Sequence, residues 1–123
     1  MVFNILISNT DDHLRNYRFL YQNLTGWRLS PSYDLNPTSV LIKPRILTTN
    51  VNLHDSTASL EPALSVTAEL GLALPSAKKI AKEVGTAVSK WRTVARQLKI
   101  SSPEIERMSS AFEHQDLLQP TSL

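Results

Sequence analysis

Cysteine is absent from the 123-residue sequence, glycine occurs three times, and aromatic residues make up 7% of it. Without cysteine the chain forms no disulfide and offers no thiolate, so any metal it holds must take oxygen or imidazole ligands. No glycine-rich phosphate loop of the P-loop or dinucleotide type can be read in it. No apolar run approaches the length that crosses a bilayer, and the first residues lack the basic start and small-residue cleavage pattern of a secretory signal. These absences predict a cytoplasmic protein with no membrane partner.

What is present suits a modest core. A hydrophobic content of 41% over this length predicts one domain spanning residues 1–123. Net charge is only +2, but it is unevenly spread: seven of the basic residues fall between Lys78 and Lys99, with Glu83 as the single acid among them. Such a run is either a solvated helix face or a positive surface for nucleic acid or an acidic protein.

The order of elements follows from pattern and punctuation. The opening "VFNILIS" is a strand or a buried helix, which periodicity cannot decide at this length. "YRFLYQ" and "WRLSPSYDL" flank "NLTG", whose Asn23 and Gly26 predict a hairpin whose second arm ends near Asp34. Residues 40–55 show no clean period and hold Pro44, which predicts an irregular connection with one short extended piece. A helix starts after Ser59 and stops at a left-handed Gly71. The strongest periodicity, Ile80, Val84, Val88, Trp91, Ala95 and Leu98, predicts a long helix with these residues as its buried stripe. Ser102 is read as the N-cap of a last helix with Pro103 in its first turn and Ile105, Met108 and Phe112 buried, after which "LLQPTSL" frays. Trp27 and Trp91 are read as packing residues, and His54 and His114 as surface or capping histidines. The fold class is therefore mainly α with a small β-hairpin.

The chemistry gathers in "NTDDHLRN", Asn9 to Asn16, which sets two acids, a histidine, an arginine and two asparagines against the apolar start. Asp11 and Asn16 stand five positions apart, and Asp34 follows the hairpin. Phosphoryl transfer needs a carboxylate that orients the attacking hydroxyl and accepts its proton, with oxygen ligands holding Mg²⁺ against the nucleotide phosphates. An Asp, an Asn five residues later and a second Asp beyond a hairpin supply these in that order. The same residues could also be local punctuation, since Asn, Asp and Thr cap helices and build Asx-turns.

"FNILISNTDDHLRNYRFLY" followed by "GWRLSPSYDLNPT" resembles the C-terminal catalytic lobe of HipA-type serine/threonine kinases, the toxins of bacterial toxin–antitoxin pairs. "ALSVTAELGL", "AKKIAKEVGTAVSKWRTVA" and "ERMSSAFEH" resemble the helical remainder of that protein-kinase-like lobe. The resemblance implies that Asp11 is the catalytic aspartate, that Asn16 and Asp34 are Mg²⁺ ligands, and that His13, Leu14, Arg15, Asn16, Tyr33 and Asp34 lie along bound ATP. Asp12 falls where the family varies and is assigned no role. The implied partners are a protein substrate, an antitoxin of the HipB type and, through it, operator DNA.

The resembled kinases enclose ATP between two lobes, and the first supplies a phosphate-covering loop and a lysine. With the catalytic loop starting at Asn9, the sequence predicts a C-lobe lacking that N-lobe, inactive alone, completed by a separate N-lobe chain or covered in a homo-oligomer. A second expectation is a non-catalytic fragment that binds an antitoxin or DNA through the basic helix Lys78 to Lys99. A third is a metal-dependent phosphoesterase built on Asp11, Asp12, His13 and Asp34.

Overall fold

The computed structural model describes residues 1–118. Among the described residues, six α-helices and one two-stranded sheet run in the order α1 (Val2–Leu6), β1 (Phe19–Tyr21), β2 (Trp27–Leu29), α2 (Leu60–Ser65), α3 (Leu74–Val88), α4 (Trp91–Gln97), α5 (Ser102–Phe112) and α6 (Gln115–Leu118). The protein is thus mainly helical with one antiparallel hairpin, as the sequence predicted. Among the described residues no helix is long and apolar enough to cross a membrane.

The opening segment resolves as a helix, and it forms the centre of the core. Ile5 and Leu6 are fully buried, each contributing roughly 1.5–3 kcal/mol of apolar burial. The helix ends in a Schellman closure: the Ser8 N–H donates to Ile5 O and the Asn9 N–H to Asn4 O. Ser8 takes the left-handed position (φ 54°) where glycine is usual. A serine stands there because its buried hydroxyl donates to Ala111 O at 2.7 Å and accepts from Arg45 Nε at 3.1 Å. Glycine would relieve the backbone but forfeit both bonds.

Arg45 joins α1 and its closing turn to α6. Its guanidinium also donates to Ile5 O at 3.1 Å and to Asp116 Oδ2 at 2.7 Å. The irregular stretch holding it is fixed by one bridge, Ile46 to Thr57, in agreement with the irregular connection expected there. Asp116 in turn caps α2, accepting from the Leu60 N–H and the Ser59 hydroxyl, each at 2.8 Å. Ser59, expected to begin this helix, therefore does so through a carboxylate supplied from α6. The helix ends at Ser65, and turns continue to Gly71, which is left-handed (φ 68°) as expected.

The longest predicted helix is two helices. At its end the Lys90 N–H donates to Ala87 O, a tightened turn, and the Ser89 hydroxyl donates to Thr86 O at 2.9 Å; α4 then departs so that Trp91 stacks on Phe112, centroids 4.5 Å apart. The buried stripe of α3 is Ala77, Ala81, Gly85 and Val88, not the expected Ile80, and Leu98 is likewise exposed. Small residues win because α3 packs closely on α1, and a branched side chain at Ala81 would hold the helices apart. The N-cap of α5 is Ser101 rather than Ser102, because Glu104 reaches back to accept from the Ser101 N–H and hydroxyl. Ile105 is buried, with Met108 and Phe112 half-buried, as read from the sequence. Leu117 and Leu118 belong to α6, and the remainder of the predicted frayed tail lies outside the described residues.

Of the two readings given to His114, surface or capping, the structure favours the second, at the last carbonyl of α1. Its side chain is buried, with Nε2–H donating to Leu6 O at 3.1 Å and Nδ1 at 3.9 Å from Asp116 Oδ2. Burial and the charge of Arg45 hold the imidazole below its ordinary value of 6.5. Burial opposes ionisation of Asp116, but the Leu60 N–H, Arg45 and Ser59 outweigh it and hold its carboxyl below the ordinary 3.8. Both groups bind fewer protons folded than unfolded, so stability rises with pH through both ranges. The urea midpoint is expected to decline as pH falls through about 6.5 and again below about 4, with the first decline absent in His114→Gln. A midpoint flat down to pH 5 in the unsubstituted protein contradicts this.

Candidate functional site

The segment that begins the predicted catalytic loop is held from two sides. Ser8, Asn9 and Thr10 are buried almost completely. On one side the Asn9 amide donates to Asp34 O at 3.3 Å and the Thr38 N–H to Ser8 O at 3.2 Å. On the other the Thr48 N–H and hydroxyl donate to Thr10 O at 3.0 and 2.9 Å. Asp11, the next residue, is exposed. The chain therefore leaves the core at a fixed point, with Asp11 as the first solvent-facing side chain.

The loop closes on itself. His13 is extended, and a single 3₁₀ turn spans Leu14–Asn16. It returns Asn16 so that its amide nitrogen donates to Asp11 O at 3.5 Å. That bond leaves the Asn16 amide oxygen free. One bond further out, the Tyr17 hydroxyl donates to Asp12 Oδ2 at 2.8 Å. Burial, that bond and the Asp12 charge push the Tyr17 phenol up to about 12, so it stays a donor throughout the neutral range.

The hairpin returns the chain, though not in the way the sequence suggested. Its tip needs Gly26, whose φ of 89° and ψ of −144° are closed to residues with a side chain. The strands pair Phe19 with Leu29 and Tyr21 with Trp27. The second strand stops at Leu29, five residues before Asp34, because Pro31 cannot donate to a ladder. Tyr33 makes the return contact: its hydroxyl donates to Arg15 O and accepts from Arg18 Nε, both at 2.9 Å. Asp34 itself is exposed and left-handed (φ 57°), with Oδ1 accepting from Asn36 Nδ2 at 2.7 Å. A non-glycine residue in this region is strained, and such strain gathers at working sites.

Of the predicted site residues, Asn16 is thus joined to Asp11, Tyr33 to Arg15, and Asp34 to Asn9. The bonds of Asp34 run to Asn9 and Asn36 rather than to Asn16. Leu14 and Arg15 are exposed, and His13 is half-buried with Nδ1 unpartnered among the described residues. Asp12, Asn16, Tyr17 and Tyr33 line a hollow of about 260 Å³ together with Phe3 and Leu29.

The free oxygens here, on Asn16 and on the second carboxylate oxygen of Asp34, are the hard donors that suit Mg²⁺. Among the described residues no three His, Asp or Glu side chains converge closely enough to hold a metal by themselves. A cation would be completed by amide oxygen, phosphate and water. The two-metal phosphoesterase expected from Asp11, Asp12, His13 and Asp34 lacks that cluster.

Sequence reasoning passed over Asn9 and Tyr17 and gave Asp12 no part in the kinase site. Asn9 has one signal, a polar residue continuing an apolar run. Tyr17 has none, because an aromatic beside a hairpin reads as packing. Trp27, read as a packing residue, is 69% exposed, and its ring meets that of Tyr21 at 5.2 Å between centroids. Trp91 is half-buried, as expected.

A family model described as the HipA-like C-terminal domain matches residues 1–91. No curated protein and no solved structure matches the chain.

Proposed function

Because this chain belongs to the HipA-like C-terminal domain family, we propose that it forms the catalytic floor of a serine/threonine kinase that transfers the γ-phosphate of ATP to a protein hydroxyl. Asp11 orients the attacking hydroxyl and accepts its proton. Asn16 and Asp34 offer oxygens to Mg²⁺, and His13, Leu14, Arg15 and Tyr33 flank the nucleotide. When bound, the Mg²⁺ neutralises charge on the transferring phosphoryl group. The observation that carries this reading is the bond from Asn9 to Asp34 O at 3.3 Å, which returns the second acidic segment to the base of the Asp11 loop.

Two features support completion by a covering lobe. The three glycines, Gly26, Gly71 and Gly85, form no phosphate loop. One face of the hairpin leaves Phe19, Tyr21, Trp27 and Leu29 each more than half exposed, an apolar surface adjoining the hollow that suits a partner. The basic-helix reading draws less support. The run from Lys78 to Lys99 bends at Ser89, and Arg92 is engaged by Glu106 and Glu113 of α5. Lys78, Lys79 and Lys82 remain as a local cluster on α3, short of a continuous positive face.

The test is phosphoryl transfer from labelled ATP to a protein acceptor. The isolated chain is expected to transfer almost nothing. The same chain fused behind a HipA-type N-lobe is expected to transfer phosphate, and to lose that in Asp11→Ala. Transfer by the fusion that survives Asp11→Ala overturns the reading.

A further inference from the structure

The bonds that anchor Asp34 continue past it into the catalytic loop. Asn9 Nδ2 donates both to Asp34 O and to Asn4 Oδ1, each at 3.3 Å. Asn4 and Tyr17 line the same hollow, and the Tyr17 hydroxyl donates to Asp12 Oδ2 at 2.8 Å. Asn4 and Asn9 are buried. Asp34, Asn9 and Asn4 are therefore joined by hydrogen bonds, and a second bonded pair, Tyr17 and Asp12, shares a hollow with Asn4. Asn4, Asp12, Asn16 and Tyr17 share the hollow.

Apart from the Tyr17–Asp12 bond, the ends of the loop from Asp11 to Tyr17 are joined, among the described residues, by the long bond from Asn16 to Asp11 O, while Tyr33 holds the middle of the loop at Arg15 O. A bond at 3.5 Å is weak, whereas one to a carboxylate at 2.8 Å is among the stronger hydrogen bonds a protein forms. Asp12 and Tyr17 directly follow Asp11 and Asn16 in sequence, so fixing that pair constrains the two residues between which the nucleotide chemistry is assigned. Asp12, whose position looked free of any role, thereby acquires one.

We propose that Asp12 and Tyr17 form a positioning pair that holds the Asp11–Asn16 loop in register with Asp34 through Asn4 and Asn9. This rests on the assignment of Asn16 and Asp34 as Mg·ATP ligands. Neither Asp12 nor Tyr17 is a ligand or a catalytic residue; both act through the geometry of Asn16.

Isothermal titration of the full 123-residue chain with Mg·ATP tests the pair, using Tyr17→Phe, which removes only the hydroxyl, Asp12→Ala, and the double variant. Each single variant is expected to bind about tenfold more weakly, and the double variant no more weakly than either, because each removes the same bond. The ¹⁵N shift of the Asn9 amide is expected to move in Tyr17→Phe, a change that a purely local packing role would not transmit. Equal binding by Tyr17→Phe and the unsubstituted chain overturns the inference and leaves the kinase reading standing. Weakening by Asp12→Ala alone also overturns it, because Asp12 would then be a ligand itself. If the unsubstituted chain binds no Mg·ATP, the ligand assignment fails and the inference with it. Should one variant fail to fold by circular dichroism, the other single variant decides.

Discussion

Arg45→Ala is expected to lower the stability of the protein by about 3–5 kcal/mol, the largest effect of any single substitution outside the apolar core. The guanidinium is four-fifths buried, joins Ser8 of the α1 closure, Ile5 O at the end of the same helix, and Asp116. Its removal leaves the Asp116 carboxylate, 10% exposed, without its cation, and a buried charge so abandoned costs more than the pair contributes. Ser8 would also lose a hydrogen bond while keeping a strained left-handed backbone. Changing both partners to apolar residues, as in Arg45→Met with Asp116→Leu, relieves the stranded charge at many buried pairs. Here it is expected to recover only part of the loss, because Asp116 also caps α2 through Leu60 and Ser59. Urea unfolding of the three proteins checks both statements; a loss under about 1 kcal/mol for Arg45→Ala contradicts the first.

The second large effect is on catalysis. In the chain fused to an N-lobe, Asp11→Ala is expected to lower the turnover rate by about 10²–10⁴, the usual contribution of a positioned proton acceptor. Affinity for Mg·ATP should change little, because Asp11 is assigned to the hydroxyl substrate and the ligands are Asn16 and Asp34. An equal loss in turnover and in nucleotide affinity would place Asp11 among the ligands instead. The isolated chain should be slow for a separate reason: charge on the transferring group is stabilised best when donors surround it in a site closed to water. An open floor with exposed Arg15, Asp34 and Leu14 supplies one side of such a site.

Much of this arrangement was legible in the sequence because it rests on local rules. Gly26 and Asn23 announced the hairpin, Gly71 the left-handed residue beyond α2, and the spacing of Asp11, Asn16 and Asp34 suggested the chemistry proposed for the loop. What stayed hidden depends on contacts between distant segments. Nothing around Arg45 in an irregular stretch foretells that it meets Asp116 seventy-one residues later. His114 could be read only as a surface or a capping residue because its partners, Leu6 O and Asp116, are set by how α6 packs on α1. The stripe on α3 was misread for a related reason: periodicity finds bulky residues, whereas close packing on α1 selected Ala77, Ala81 and Gly85. The break at Ser89 has no strong signal in a run of good helix formers, and it follows from the stacking of Trp91 on Phe112. Asp34 was expected at the end of a strand and instead lies in irregular chain with a left-handed backbone, since Pro31 ends the ladder early.

The central claim is that the Asp11–Asn16 loop and Asp34 face one metal–nucleotide site. Paramagnetic broadening of ¹H–¹⁵N spectra by Mn²⁺ with ATP measures this directly, since broadening falls off steeply with distance from the ion. The amides of Asp11, Asn16 and Asp34 are expected to broaden together at the lowest Mn²⁺ concentrations, while those of α5 stay sharp. Early broadening at Asn16 without Asp34, or broadening led by Glu106 and Glu113, would contradict it.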